Sequence, residues 1–322
     1  MNTIDVSVVI VCMNNYEQLK DCLDSIRQYT HQVSYEVLLV AYFFSEDNLE
    51  KLKAEYPWVK VIISNEIRGF SANNNLALRQ AQGRYCFVLN DDTYMTMPVI
   101  DLLVERMNNN KNIALLSPQI IRPNGNIQYT GIPPISWIDR LKIFFKLKKE
   151  AAEDGKYVRR EGFFRTYNIL GAAFMIRTDI FREMGFFDER YFFGPEDIAL
   201  STLLNRKGYE CWVDTDVKIV HLGGQTGGTQ SRTICAARPA NRKGCLINCS
   251  EDKWYRYVVM ASLIWVDSAL LTLYWGTKAL MGGEKSCVYS LKSNINVCKS
   301  IFSRLSSTEI FKKYYKQRFP SA

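Results

Sequence analysis

Four apolar runs in the first 90 residues have the length and composition of buried β-strands. They are rich in β-branched residues and lie at residues 6–13, 35–43, 59–64 and 84–90. Three segments with apolar residues at helical spacing separate them, at residues 16–30, 45–57 and 71–83. Ser45 is placed to cap the second helix, and Gly83 to close the third. This alternation predicts an α/β fold whose parallel sheet is covered by helices on both faces.

A second series of predicted helices and strands begins near residue 97. It predicts helices at 97–108, 178–184 and 196–207, and strands at 113–121, at 169–176 and from Glu210. Between these elements, residues 136–162 mix large apolar side chains with Lys and Arg. We therefore expect one α/β unit interrupted by a basic, partly apolar insertion.

Three segments lie at the carboxyl ends of predicted strands. They are Asn14 at the first strand, residues 41–45 at the second, and residues 90–93 at the fourth. Parallel strands place their carboxyl ends at one edge of the sheet, where α/β proteins bind ligands. We therefore expect these segments to lie together at a ligand site.

The composition is that of a folded protein of 322 residues, with 47% hydrophobic and 13% aromatic residues. The nine cysteines include no C-x-x-C pair, and His31 and His221 are the only histidines. A zinc site built from Cys and His is therefore disfavoured, and we expect the cysteines to fill the core of a protein in a reducing compartment.

The net charge of +8 is concentrated near the end of the sequence. Residues 231–322 carry 15 Lys and Arg against 5 Asp and Glu, whereas residues 1–230 carry 26 against 28. This asymmetry predicts chemistry in the first part and contact with an anionic surface in the second. We accordingly predict a catalytic domain at residues 1–230 and a basic, partly apolar helical extension at residues 231–322.

Asn90, Asp91 and Asp92 end the fourth strand with two adjacent carboxylates. Carboxylate and amide oxygens suit a hard divalent cation such as Mg²⁺ or Mn²⁺, which commonly bridges phosphates. The alternative is structural, because Asp92 or Thr93 could cap a helix that begins near Tyr94.

Glu196 and Asp197 follow a cluster of aromatic residues between Phe186 and Phe193. An apolar surrounding raises the pKa of a carboxyl group toward values that suit a general base. The alternative is that both residues simply stabilise the first turn of a helix.

His221 precedes a glycine-rich segment at residues 223–228. A histidine at a strand end can complete a metal site, and glycines let the backbone approach a phosphate closely. The alternative is an ordinary histidine at a surface turn.

Together these features resemble the family 2 glycosyltransferases, enzymes with the GT-A fold. Their order is a strand ending in Asn-x-Asp, a Gly-Ala-Ala strand, an aromatic loop before Glu-Asp, and His-x-Gly-Gly. The similarity extends over roughly residues 5–230, and its most specific stretches are GFSANNNLALRQAQGRYCFVLNDDT and GAAFMIRTDIFREMGFFDERYFFGPEDIALSTLLNRKGY. The resemblance is to rhamnosyltransferase-like members that assemble polysaccharides, and it implies a Rossmann-like, mostly parallel sheet.

The resemblance implies a role for each matching residue. Asp92 and His221 would hold Mg²⁺ or Mn²⁺ against the donor diphosphate, and Asp197, beside Glu196, would be the catalytic base. The donor-binding residues would be Asn14, Tyr42, Arg68, Asn90, Asp91, Gly171 and Ala172. Of the two adjacent carboxylates, we expect Asp91 to turn toward the nucleoside ribose or toward solvent. Direct displacement of the diphosphate would invert the anomeric centre.

Two segments depart from the family's pattern. Members commonly carry an Asp after the second strand, whereas this chain has the run Ala41-Tyr42-Phe43-Phe44-Ser45. The Pro-Thr-Tyr that often precedes Asn14 is replaced by Val-Cys-Met. Both changes fall in the expected nucleoside pocket, so the base of the donor stays open. Tyr42 or Phe43 is placed to stack on that base instead.

The extension has features of a segment that contacts a membrane. Residues 257–276 are nearly long enough to cross a bilayer, but Asp267 lies at their middle, and Arg256 and Lys278 flank them. Basic ends and several tryptophans suit an interfacial helix, and the basic end of the sequence favours anionic lipid. Residues 137–149 are a second candidate. The alternative is a helix packed on the catalytic domain.

We therefore predict a metal-dependent, inverting glycosyltransferase that uses a UDP- or dTDP-linked sugar to build a surface polysaccharide. An acceptor glycan on a polyprenyl lipid would place the enzyme in the cytoplasm, at the inner membrane face, and we expect no nucleic-acid partner. One alternative is a nucleotidyltransferase, which usually needs a Gly-rich basic loop where VCMNNYEQLK has no glycine. Another is a non-catalytic glycan- or nucleotide-binding relative, which the presence of Asp92, Asp197 and His221 disfavours.

Overall fold

The computed structural model describes residues 4–128, 130–148, 160–169, 171–223, 231–282 and 284–316. These residues form two compact units. The first draws on the ranges Met1–Glu66, Asn73–Phe187 and Asp197–Thr226, and the second on Ile67–Ala72, Asp188–Glu196 and Gly227–Ala322. The division at residue 230 that the charge pattern suggests stays a prediction.

The first unit is built on a mixed ten-stranded sheet with the order β3-β2-β1-β4-β11-β6-β12-β5, in which β7 pairs with β6 and β9 with β12. The strands are β1 (Val6–Cys12), β2 (Tyr35–Tyr42), β3 (Val59–Ser64), β4 (Tyr85–Asn90), β5 (Thr93–Met95), β6 (Ile113–Ile121), β7 (Ile127–Gln128), β9 (Phe163–Thr166), β11 (Ala173–Arg177) and β12 (Glu210–His221). The strands β8 (Gly131–Ile132) and β10 (Asn168–Ile169) form a small antiparallel pair. Strands β1 to β4 run parallel, whereas β11 is antiparallel to both of its neighbours.

The helices of the first unit connect these strands. They are α1 (Tyr16–Tyr29), α2 (Glu46–Glu55), α4 (Val99–Asn109), α5 (Trp137–Phe144), α6 (Thr178–Glu183) and nearly all of α7 (Glu196–Arg206), and α3 (Phe70–Leu78) begins in the second unit and ends in the first. Six of the seven residues of β1 are buried, so the prediction of a strand covered on both faces is confirmed. Its core contacts include Leu19 and Leu23 of α1 and Leu103 of α4, which belong to one continuous apolar cluster.

Three local predictions need correction. Helix α3 ends at Leu78, so Gly83 does not close it. Gly83 instead lies against the backbone of Ser7, where a Cβ atom would overlap the Ser7 nitrogen. No helix begins near Tyr94, because Thr93–Met95 is a strand paired with β12. The strand predicted at 169–176 is two strands, β10 and β11, separated by a segment that includes residue 170, which lies outside the described residues.

The second unit is mainly helical, with α8 (Ser231–Ser250), α9 (Trp254–Leu280), α10 (Lys285–Ser300) and α11 (Ser307–Lys316). Phe192 of the aromatic loop stacks on Phe311 of α11, with ring centroids 4.0 Å apart. Ala236 and Ala240 of α8 complete this small core. Within the described residues, α9 is the one helix long and apolar enough to cross a membrane by length and composition.

Candidate functional site

The segment that follows β4 turns sharply and starts a new strand. The amide of Asn90 donates to the carbonyl of Ala172 at 2.9 Å, and the Thr93 hydroxyl donates to the carbonyl of Asn90 at 2.7 Å. Asp91 and Asp92 occupy the turn between these anchors. The structure therefore holds both carboxylates at the carboxyl edge of the sheet, as the sequence predicts.

Asp92 and His221 are brought together by the pairing of β5 with β12. His221 lies opposite Thr93 in this ladder, and the amide of Leu222 donates to the carbonyl of Asp92 at 2.9 Å. The Nε2 atom of His221 is 3.1 Å from Oδ1 of Asp92, and both side chains are buried. The backbone thus fixes a carboxylate and an imidazole side by side, although they are 129 positions apart in the sequence.

Gln128 contacts the ring nitrogen of His221 that is not the one next to Asp92. Its Oε1 atom lies 2.7 Å from Nδ1 of His221. With this oxygen as the acceptor, the Nδ1–H tautomer of the neutral imidazole donates to Gln128 and leaves a lone pair on Nε2. The buried Oδ1 of Asp92, 3.1 Å from Nε2, has no aligned hydrogen-bond donor among the described residues.

In this tautomer Nε2 of His221 and Oδ1 of Asp92 are two adjacent acceptors, and a cation can bind to both. The pair of Asp92 and His221 therefore fits a divalent cation, with one oxygen and one nitrogen as protein ligands. Among the described residues there is no group of three or more His, Cys, Asp or Glu side chains that could hold a metal ion. Substrate and water can supply further ligands, as is common for Mg²⁺ bound with phosphates.

Arg122 and Gly223 shape the backbone just after His221. Nη1 of Arg122 donates to the carbonyl of Leu222 at 2.9 Å. Gly223 has a φ of +67°, and a Cβ atom there would overlap the guanidinium of Arg122. Glycine is therefore required here by both conformation and space. The remaining glycines predicted for this segment lie outside the described residues.

Asp91 points away from solvent. Its side chain is 2% exposed and lies beside the thiols of Cys12 and Cys22. Burial, followed by the charge of Asp91, raises the pKa of both thiols. The expectation that Asp91 turns toward solvent is therefore wrong, and its contact with a ribose stays a prediction.

Asp197 lies in the first turn of α7 and is held by backbone amides. Its Oδ2 accepts from the amide of Gly171 at 2.9 Å, and its Oδ1 from the amide of Ile198 at 2.7 Å. Burial raises the pKa of Asp197 above its ordinary value, while these hydrogen bonds act in the opposite direction. Because Ala172 follows Gly171 and accepts from Asn90, a short backbone path links Asp197 to the strand end that carries Asp92.

Glu196 and Arg68 fall in the second unit, whereas Asp197 falls in the first. Glu196 is buried, and its carboxylate accepts a hydrogen bond from the amide of Gly194. Arg68 is partly exposed, in the segment before α3. Their assignment to the site stays a prediction.

Asn14 and Tyr42 lie at the same sheet edge, because β1 pairs with β2 and with β4. Asn14 has a φ of +53°, and its Oδ1 accepts from the amide of Ser45 and from Nδ2 of Asn48, each at 2.9 Å. These two hydrogen bonds join Asn14 to the loop after β2 and to the first turn of α2. The ring of Tyr42 packs against that of Phe43, with centroids 4.7 Å apart.

Three residues of the site escape the sequence reasoning. Gln128 contacts His221, Arg122 donates to the carbonyl of the next residue, and Cys12 lies beside Asp91. A single Gln, Arg or Cys has no local pattern that marks it as functional. The position of Cys12, just before the polar residues that end β1, is the one signal that could have placed it at this edge.

Comparisons with known proteins agree with this architecture. The chain resembles the structure of GalNAc-T7 with UDP, GalNAc and Mn²⁺, at a TM-score of 0.57 and 18% identity, over 97% of this chain and 58% of that chain. It also resembles the mannosyltransferase PcManGT from Pyrobaculum calidifontis in complex with GDP-Man and Mn²⁺, at a TM-score of 0.53 and 13% identity, over 93% of this chain and 88% of that chain. The fold is therefore that of the GT-A glycosyltransferases.

Sequence comparison points the same way. The chain is 22% identical over 219 residues to the O-antigen biosynthesis protein RfbC of Myxococcus xanthus, a match that covers 67% of this chain and 17% of that protein. The family described as glycosyl transferase family 2 matches residues 7–185. Because this match covers more than half of the 322 residues, the chain belongs to glycosyl transferase family 2.

Proposed function

We propose that this protein transfers a sugar from a nucleotide-diphosphate sugar to a hydroxyl group of a glycan. The observation that carries the proposal is the buried pair of Asp92 and His221 at the carboxyl edge of the sheet, in a chain of glycosyl transferase family 2. The similar structures of GalNAc-T7 with UDP, GalNAc and Mn²⁺ and of PcManGT with GDP-Man and Mn²⁺ support the use of a nucleotide sugar and a divalent cation.

Asp92 and His221 are the proposed ligands of Mg²⁺ or Mn²⁺. A bound cation would neutralise the charge that develops on the leaving diphosphate. Within this chain, the amide of Leu222 holds the backbone of Asp92, and the hydrogen bond to Gln128 would select the tautomer of His221 that leaves Nε2 available to the cation. A hydrogen bond from the other ring nitrogen of a metal-binding histidine to a protein acceptor normally has this effect.

Asp197 is the proposed catalytic base. It would accept the proton of the acceptor hydroxyl as that oxygen attacks the anomeric carbon, and a raised pKa makes a carboxylate a better base. The amides of Gly171 and Ile198 hold the carboxylate in one orientation. A single displacement of this kind inverts the anomeric configuration. We keep Glu196 as a second catalytic candidate in the same segment.

The donor would lie along the edge formed by the ends of β1, β2 and β4. The proposed contacts are Asn14, Tyr42, Arg68, Asn90, Asp91, Gly171 and Ala172. The aromatic pair of Tyr42 and Phe43 offers a stacking surface for the nucleoside base in place of the family's usual Asp. We propose UDP or dTDP as the nucleotide, and the similar structure of GalNAc-T7 with UDP supports a pyrimidine base.

The acceptor we propose is a growing surface polysaccharide, carried on a polyprenyl lipid. This proposal draws on the similarity to an O-antigen biosynthesis protein, of which the match covers 17%. It places the enzyme in the cytoplasm, in peripheral contact with the inner face of the membrane. The apolar helix α9 supports such a contact.

A melting-temperature screen of nucleotide sugars, with Mn²⁺ or with EDTA, tests the donor and the metal together. We expect one UDP- or dTDP-linked sugar to raise the melting temperature with Mn²⁺ and to lose this effect with EDTA or in Asp92→Ala. Release of the nucleoside diphosphate should then require Asp197. Stabilisation without any release, across glycan acceptors, would favour the non-catalytic relative, and release of pyrophosphate from a nucleoside triphosphate would favour the nucleotidyltransferase.

A further inference from the structure

Helix α9 exposes an apolar face for most of its length. Six residues define this outer face, namely Val258, Val259, Trp265, Val266, Leu270 and Leu273, and all are exposed. Leucines 270 and 273 are 63% and 68% exposed. Soluble proteins rarely leave a contiguous apolar stripe of this kind uncovered, and such a stripe usually marks a surface for a partner or a membrane.

The opposite side of α9 is packed within the second unit. Met260, Ala261, Ile264 and Ser268 are buried there, against α8 and α10. A surface helix normally has one apolar and one polar face, but α9 is apolar on both. The packed side therefore already accounts for the folding role of the helix, and the outer face needs another explanation.

Asp267 is the single acidic residue of α9, and it is paired with a base. Its Oδ2 lies 3.6 Å from Nη2 of Arg242 on α8, and its side chain is 38% exposed. It lies beside the outer face, three positions before Leu270. Arg242 offsets its charge, so the pair adds no net negative charge to this face.

The ends of α9 carry lysines and aromatic rings, and the two carboxylates before the helix, Glu251 and Asp252, pair with Arg256 and Arg190. Lys253 precedes the helix, and Nζ of Lys278 lies 5.1 Å from the ring centroid of Tyr274 and 5.8 Å from that of Trp275. Residues 231–322 carry ten more basic than acidic residues. Aromatic rings and lysines at both ends of an apolar stripe are typical of helices that lie at the headgroup level of an anionic bilayer.

The packing of α9 excludes a transmembrane orientation for the folded unit. Helix α8, which packs on the inner side, contains Arg238, Arg242 and Lys243, and these charges would have to enter the hydrocarbon with α9. An orientation in the plane of the interface leaves α8 outside the lipid and brings only the outer face into it. At about 1.5 Å per residue the helix would cover about 40 Å of membrane surface.

We propose that the outer face of α9 inserts into the surface of an anionic lipid bilayer, with the helix axis parallel to the membrane. The binding itself needs no catalytic activity. The further statement that this membrane contact brings the enzyme to a lipid-linked acceptor rests on the proposed function.

Vesicle flotation of the full chain tests this surface. The probes are phosphatidylcholine vesicles with and without 30% phosphatidylglycerol, and the variant is Leu270→Ser with Leu273→Ser. The matched control is Ile63→Ser with Leu203→Ser, which removes exposed apolar side chains from the first unit. We expect the wild type and the control to float with the anionic vesicles, and the outer-face variant to bind about tenfold more weakly for each leucine.

Charge variants separate the two contributions to binding. Lys253→Gln and Lys278→Gln should each weaken binding to the anionic vesicles about fivefold and leave binding to neutral vesicles unchanged. Flotation of the outer-face variant equal to that of the control would overturn the proposal. The proposal would also be overturned if the wild type sedimented as a dimer and did not float, and if the outer-face variant sedimented as a monomer. Release of the nucleoside diphosphate is measured on the same samples in buffer without vesicles. A protein that releases diphosphate but does not float contradicts the membrane proposal alone, and a protein that floats but releases none contradicts the proposed function alone.

Discussion

The hydrogen bond between Gln128 and His221 allows a direct test of the proposed metal site. Replacing Gln128 with Met keeps the length of the side chain and the backbone pairing of β7, but removes the acceptor 2.7 Å from Nδ1. The imidazole is then free to place its proton on Nε2, which faces Asp92. Loss of the hydrogen bond that orients a metal-binding histidine typically lowers metal affinity 10- to 100-fold, or about 1.4 to 2.7 kcal/mol.

The affinity for Mn²⁺ can be measured by electron paramagnetic resonance at pH 7.5, with saturating UDP. We expect Gln128→Met to bind Mn²⁺ at least tenfold more weakly, and to lose only about 1 kcal/mol of unfolding free energy for one hydrogen bond. Gln80→Met is the control, because Gln80 donates to a backbone carbonyl near the end of α3, away from the metal ligands. Unchanged affinity in Gln128→Met, together with weakened binding in His221→Ala, would refute the role of the tautomer.

Three further predictions follow from single contacts. Gly223→Ala should lower the free energy of unfolding by about 1 to 3 kcal/mol in urea titrations, because of its positive φ and the guanidinium of Arg122. Lys243→Met should cost about 1 to 3 kcal/mol in the same assay, since the buried Nζ donates to the carbonyl of Ser303 at 2.7 Å. The raised pKa of Asp197 places the acid limb of kcat/KM above the ordinary aspartate value of about 3.9, and Asp197→Asn should abolish transfer rather than shift this limb. The same raised pKa also affects stability. The stabilising contribution of Asp197 is present below about pH 3.9 and is lost as the pH rises through the folded-state pKa. An acid limb of kcat/KM at the ordinary aspartate pKa would contradict both statements.

The first four strands were predictable because each is a continuous apolar run. Val6 to Cys12, for example, is apolar at every position except Ser7, and burial on both faces of a parallel sheet demands that pattern. The antiparallel insertion of β11 between β4 and β6 was not predictable, because strand direction depends on pairing across long sequence distances. The same limit explains why Thr93 could be interpreted as a helix cap when it in fact pairs with His221.

The candidate site was only partly visible in the sequence. Asp92, Asp197 and His221 stand next to strand ends or helix starts, so their positions follow from local patterns. Their supports do not, since Gln128 is 93 residues from His221 and no periodicity links the two. The position of Asp91 was predicted incorrectly. A carboxylate after a strand is expected to be exposed, but the turn after β4 buries this one.

Calorimetric titration of a nucleoside diphosphate tests the central claim most directly. The experiment compares the wild type with Mn²⁺, the wild type with EDTA, and Asp92→Asn with Mn²⁺, using the nucleotide that stabilises the wild type best. We predict tight binding in the first case, and binding at least tenfold weaker in both others, because the carboxylate and the cation act as a unit. Equal affinity in all three titrations would contradict the assignment of Asp92 and His221 as the site that holds the metal and the diphosphate.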